Sequence, residues 1–175
     1  MYKIYLSPSN QDKSFGVGDF GSESFRMNEI ADVVEKELLA LGNFAVYRNK
    51  EYMTKEEIIT HNNEIKPYVH IAIHSNYGNK QGVESYPKVG CEISNGFAKE
   101  IYKSLQRIYY DKTKDAGVIY DEKIVEINKV NSPAVLIQVG YHDNTMDSKW
   151  MVQNIDEIGM AIVKGIVEGF KLKNC

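Results

Sequence analysis

Short apolar runs separated by longer amphipathic stretches constrain this chain more than any other feature of its sequence. The runs cover residues 2–6, 44–48, 68–74 and 134–139. Between them, Met27, Ile30, Ala31, Val34, Leu38 and Leu41 recur at three- and four-residue spacing, which predicts a helix over about 22–41 that Gly42 stops. Thr54 and Glu57 make a capping box for a second helix reaching Lys66. Ile93, Phe97, Ile101, Leu105 and Ile108 share one face of a third, and Ile155, Ile158, Ile162, Ile166 and Phe170 mark a closing one. A short strand is expected at 83–86, with weak strands near 117–120 and 123–127. Strands alternating with helices predict a single α/β domain over residues 1–175. Its sheet should be twisted, mostly parallel and of about six strands, with helices on both faces. Sites on such sheets lie at the carboxyl ends of the strands. SPSN (7–10), HSN (74–76) and GYHDN (140–144) all fall there.

Bulk composition excludes more than it identifies. Hydrophobic content of 43% and charged content of 26% are ordinary for a globular protein, and the net charge of −3 gives no general pull toward nucleic acid. Two cysteines, Cys91 and Cys175, make no disulfide framework and no CxxC pair. The opening MYKIYLSP lacks the features of a signal peptide, and no apolar run approaches the roughly 18 residues of a membrane span. The expectation is a monomer made in the cytoplasm, with no membrane or nucleic-acid partner.

Individual residues then narrow the chemistry. His74 ends an apolar strand, so it is free to face a cleft as a ligand or catalytic group, or to serve as a satisfied structural histidine. His70, earlier on that strand, reads as a hydrogen-bonded core residue, and His61 as a solvated one. Glu23 opens the first long helix, where the helix dipole alone favours a carboxylate, and where it could equally bind a metal at the strand ends. Gln138 is an amide among apolar residues. If sheet geometry continues, Gln138, Gly140 and His142 point to one side.

Five pieces in order carry a resemblance: SPSNQ, GSESFRMNEIADVVEKEL, VHIAIHSN, GVES and SPAVLIQVGYHDN. Together they resemble the zinc-dependent N-acetylmuramoyl-L-alanine amidases, the cell-wall hydrolases found as autolysins and phage endolysins, over about residues 2–170. The match is to a branch opening with SPS-x-Q and carrying HDN after the last strand. The resemblance implies a six-stranded sheet, one zinc ion, and cleavage of the amide between N-acetylmuramic acid and L-alanine in peptidoglycan. It implies action on the bacterial wall after release from the cell. Two of the family's three zinc ligands map onto Glu23 and His74, although Ser24 stands at the commoner spacing for the glutamate. The first ligand falls near Asn10 and Gln11, neither a normal zinc ligand, so either zinc is held weakly or a third ligand comes from elsewhere, with His142 the best candidate.

Gln138 occupies the position of the family's general-base glutamate. An amide cannot take a proton from water at neutral pH, so the chain is expected to be inactive or weakly active. An engineered knock-out, a natural protein of feeble activity and a binding protein derived from an enzyme all remain open, as does a Gln held for packing alone. Asn76 and Glu84 are candidates for holding substrate, with turn chemistry and a solvated strand end as the plain alternatives. Asp115-Ala116-Gly117 lacks the arginine the family often has there, and Asp143 and Asn144 read as a cap for the next helix. A non-catalytic module binding wall glycopeptide is the alternative function. A flavodoxin-like anion binder is disfavoured, because no glycine-rich phosphate loop is present.

Overall fold

The apolar runs pair side by side. In the computed structural model, which describes residues 1–172, five strands form one sheet: β1 (Tyr2–Pro8), β2 (Phe44–Arg48), β3 (Val69–Asn76), β4 (Glu84–Pro87) and β5 (Ala134–Tyr141). Their order is β2-β1-β3-β5-β4, parallel except for the antiparallel edge strand β4. Cys175 lies outside the described residues.

Among the described residues six α-helices connect and cover the sheet, besides a short 3-10 turn at Gly18–Phe20: α1 (Glu23–Ala40), α2 (Lys55–Ile65), α3 (Glu92–Ile108), α4 (Val125–Lys129), α5 (Thr145–Gln153) and α6 (Ile155–Lys171). Local signals set their ends. The Ser22 hydroxyl accepts from Phe25 N at 3.1 Å, and Thr54 and Glu57 form the full capping box of α2. Gly42, just past α1, takes the left-handed conformation (φ 76°) that glycine adopts without strain.

Period-2 geometry sorts the strand residues between two cores. Ile4, Leu6, Ile71, Ile73, Val135, Ile137 and Val139 face α1, α3 and α6, together with Met27, Ile30, Phe97, Ile101, Ile158 and Ile162. Ala72, Ala134 and Leu136 face the other way, against Ile127 and Val130. Helices α3 and α6 approach closely: a Cβ built on Gly165 would stand 2.4 Å from Ile101 Cα. None of the described helices is long and apolar enough to cross a membrane.

Three expectations need correction. The sheet has five strands among the described residues, not about six. Residues 117–120 add only an isolated bridge between Ser85 and Val118. Residues 123–127 run into α4 and form no strand, because a five-residue helix has too few turns to display a period. His61 is not simply solvated: it is half-buried, with its Nδ1 2.9 Å from the Tyr5 hydroxyl. His70 is buried as expected, its Nε2 donating to Glu126 Oε1 at 2.9 Å.

Candidate active site

Register brings the candidate residues into one row across three strands. His74 of β3 pairs with Gln138 of β5, and Gln138 pairs in turn with Glu84 of β4. Just beyond, the ladder between β3 and β5 shifts register between His74 and Asn76. Such bulges re-aim side chains at strand ends.

Glu23 meets this row from the first turn of α1. His74 Nδ1 donates to Glu23 Oε1 at 3.0 Å, and the Ser75 N–H donates to the same oxygen at 3.3 Å. The glutamate is 1% exposed. Burial alone would raise its pKa, but the hydrogen bond and charge of His74, with help from Ser9 and Ser75, outweigh it and hold the carboxyl below its ordinary range. Gln138 has no such support. Its Oε1 is buried and has no hydrogen-bond partner, although it lies beside His74 in register. An orphaned acceptor in a strand is rare and calls for a reason.

Asn76 and Glu84, the expected substrate-holding pair, hold each other. Asn76 Nδ2 donates to Glu84 Oε2 at 3.0 Å, and the hydroxyls of Tyr86 and Tyr141 donate to the same carboxylate at 2.7 and 2.6 Å. Burial and the neighbouring carboxylate push both tyrosines well above their usual range, so they remain donors.

His142 sits in a separate knot. Its Nδ1 lies 2.8 Å from Ser75 Oγ and its Nε2 3.1 Å from Ser14 Oγ, while Phe20 stacks on the ring. Burial lowers its pKa, only partly opposed by Glu23 and Asp143, so the ring is neutral near pH 7. Asn10 is engaged elsewhere, donating to Lys50 O and Met53 O at 3.2 and 2.8 Å. Asn144 caps α5 as expected, accepting from Met146 N and Asp147 N, whereas Asp143 accepts from Gly78 N and Asn79 N across the loop.

The donor chemistry can be tested against the zinc ion that the resemblance implies. A hydrolytic zinc site uses three protein ligands and leaves a position for water. Here Glu23 and His74 are adjacent, but both nitrogens of His142 are engaged by serines. Among the described residues no group of three His, Cys, Asp or Glu side chains is arranged to hold a metal ion. Two donors do not fit a firmly held zinc.

Two buried carboxylates escaped the sequence reading. Glu126 lies on α4 and lines a cavity of about 330 Å³ that it shares with His74. Asp147, on α5, accepts from the hydroxyls of Tyr109 and Tyr110 and from the N–H groups of Gly82 and Tyr141. Apolar neighbours on either side of Glu126 (Ile124, Val125, Ile127) were a weak signal of a buried carboxylate. Nothing local marked Asp147.

Comparison with known proteins agrees with this fold. The sequence profile described as N-acetylmuramoyl-L-alanine amidase matches residues 4–168. A search of curated protein sequences finds no match. Among solved structures, the catalytic domain of CwlV, an N-acetylmuramoyl-L-alanine amidase from Bacillus (Paenibacillus) polymyxa var. colistinus, superposes with a TM-score of 0.84 at 19% identity, over 98% of this chain and 99% of that one. AmiC2 of Nostoc punctiforme, also such an amidase, gives 0.85 at 16% identity over 97% of each chain. The catalytic domain of the CD27L endolysin, targeting Clostridia difficile, gives 0.77 at 19% identity, over 95% of this chain and 97% of that one. At such identities the superpositions establish the fold, and the profile match over nearly the whole chain establishes the family. The chain belongs to the N-acetylmuramoyl-L-alanine amidase family.

Proposed function

We propose that this chain acts on the amide between N-acetylmuramic acid and L-alanine of peptidoglycan, and that it cleaves this bond feebly as it stands. The observation behind this reading is Gln138. It stands in register between His74 and Glu84 with its oxygen unpaired, where a carboxylate would accept a proton from attacking water. Glu23 and His74 are the two residues we assign to the metal that the family generally uses. Asn76 and Glu84 are the residues we assign to the substrate side. With only two donors convergent, zinc affinity should be weak. We further propose that the chain acts as a monomer on the bacterial wall after release from the cell where it is made, in the manner of an endolysin.

The test is Gln138→Glu. Glutamate has nearly the same shape, so packing should survive the exchange. A positioned proton-transfer group is typically worth about 10²–10⁴-fold. Release of stem peptides from purified walls, with zinc supplied in excess, should therefore rise by at least about 100-fold. A second reading, a non-catalytic module binding wall glycopeptide, is favoured by one observation: Asn10, at the place of the family's first ligand, is committed to Lys50 and Met53. Equal inertness of both proteins, with cosedimentation on walls, would select that module and overturn the amidase reading.

A further inference from the structure

The cavity at the carboxyl ends of β1 and β3 contains a carboxylate that the chemistry above does not use. Ser7, Asn10, Met53, Lys55, His74 and Glu126 are among its lining residues. Glu126 is 5% exposed, and its Oε1 accepts from His70 Nε2 at 2.9 Å. Burial would favour its neutral form, but hydrogen bonds from His70 and Ser7 and the charges of His70 and His74 outweigh this and keep it ionised. A carboxylate offers about four acceptor sites. His70 and Ser7 occupy two of them, leaving acceptor capacity on the cavity floor.

Given the amidase reading, on which this inference rests, hydrolysis creates a new charge next to His74, which also lines this cavity. The C–N bond breaks, hydroxide joins the carbonyl carbon, and the nitrogen of L-alanine gains a proton and leaves as a primary amine. That amine is an ammonium at neutral pH. We propose that Glu126 receives the freed α-ammonium of the L-alanyl peptide, so that the cavity is a product-side subsite reading a primary amine beside His74. The site is acceptor-rich at its floor, and a desolvated carboxylate favours a cationic N–H donor over a neutral one. Lys55, exposed at the rim, offers a cation for a peptide carboxylate.

Calorimetric titration of the unmodified protein with three probes tests this. The first is L-alanyl-D-isoglutamine, the second its N-acetyl derivative, and the third N-acetyl-L-alanyl-D-isoglutaminyl-L-lysine, which has only a side-chain amine. The free dipeptide should bind at least about tenfold more tightly than either blocked peptide, as expected for loss of a hydrogen bond to a charged group. Glu126→Gln should erase that difference. If this variant does not fold, amide shift changes in the unmodified protein must centre on Ser7, His74 and Glu126. Equal binding of the free and N-acetyl dipeptides, no binding, or preference for the lysine peptide would overturn the assignment. These readouts need no turnover, so they can fail while wall cleavage by Gln138→Glu succeeds, and the reverse.

Discussion

Two polar side chains at the top of β5 have opposite fates. Asp147, on the helix that follows the strand, is 0% exposed and gathers four donors: two tyrosine hydroxyls and two backbone N–H groups. Gln138, within the strand, buries an oxygen that gathers none. Both lie in low-dielectric surroundings, where an unmade hydrogen bond is expensive. A saturated group ties elements together, here β5, the residues before β4, and the Tyr109-Tyr110 end of α3. An unsaturated one marks a place where the fold accepts a penalty, and such places cluster at functional sites.

The largest expected effect breaks the saturated side. Asp147→Ala would strip four donors of their acceptor, those of Gly82, Tyr109 and Tyr141 on buried residues and that of Tyr110 on an exposed one. Losing one partner of a buried charged network typically costs about 3–5 kcal/mol. Urea unfolding should show a loss of that size. A loss below about 1 kcal/mol would mean that the four contacts are incidental.

Acid should act next, through a second buried carboxylate, one only partly filled by its two donors. Glu126 has a folded pKa lowered to about 2 from an ordinary value of 4.5, so the folded state binds its proton less readily than the unfolded one. Its contribution is therefore full above about 4.5 and disappears as pH falls toward about 2. Stability measured across this interval should decline more steeply for the unmodified protein than for Glu126→Gln. Parallel curves would show that the His70–Glu126 pair contributes nothing to acid sensitivity.

The same contrast explains what could be read from sequence. Periodicity found α1, α3 and α6, because 17 or 18 residues display several turns. The capping box at Thr54 and Glu57 is local chemistry and appeared where expected. His74, Gln138 and Glu84 were legible as strand-end residues, and register brings them into a row. The donors to Asp147 come from residues 82, 109, 110 and 141, so no local pattern could announce them. For α4, five residues carry too little period to separate helix from strand. The partners of His142 are equally remote: Ser14 is 128 positions away and Ser75 67.

His142 offers a middle-sized test of which side of the contrast it belongs to. As a saturated group, its ring should contribute packing and two hydrogen bonds and leave metal uptake alone. His142→Ala should then cost about 2–5 kcal/mol, the range for a buried large-to-small exchange, with zinc binding as weak as before. His74→Ala should remove the remaining zinc uptake. If His142→Ala keeps its fold but loses zinc, the ring leaves Ser14 and Ser75 to become the third ligand.

The smallest expected effect is the most specific to Gln138. Replacing a well-bonded buried amide by leucine strips partners of their bonds and destabilises. Here the oxygen has no partner to strand, so Gln138→Leu removes a desolvation penalty and loses no bond to Oε1. Leucine also adds apolar surface next to Leu136 and Ala72 on the same face of the sheet. The net change should be a stabilisation of up to about 1 kcal/mol, read as a higher urea midpoint at unchanged slope. Part of Gln138 remains reachable by water, which limits the gain. A loss above about 1 kcal/mol would mean that the amide is satisfied in solution and is held for packing, and the contrast with Asp147 would collapse. A gain at this position, set beside a gain in hydrolysis from Gln138→Glu, would show that one strand position trades stability against chemistry.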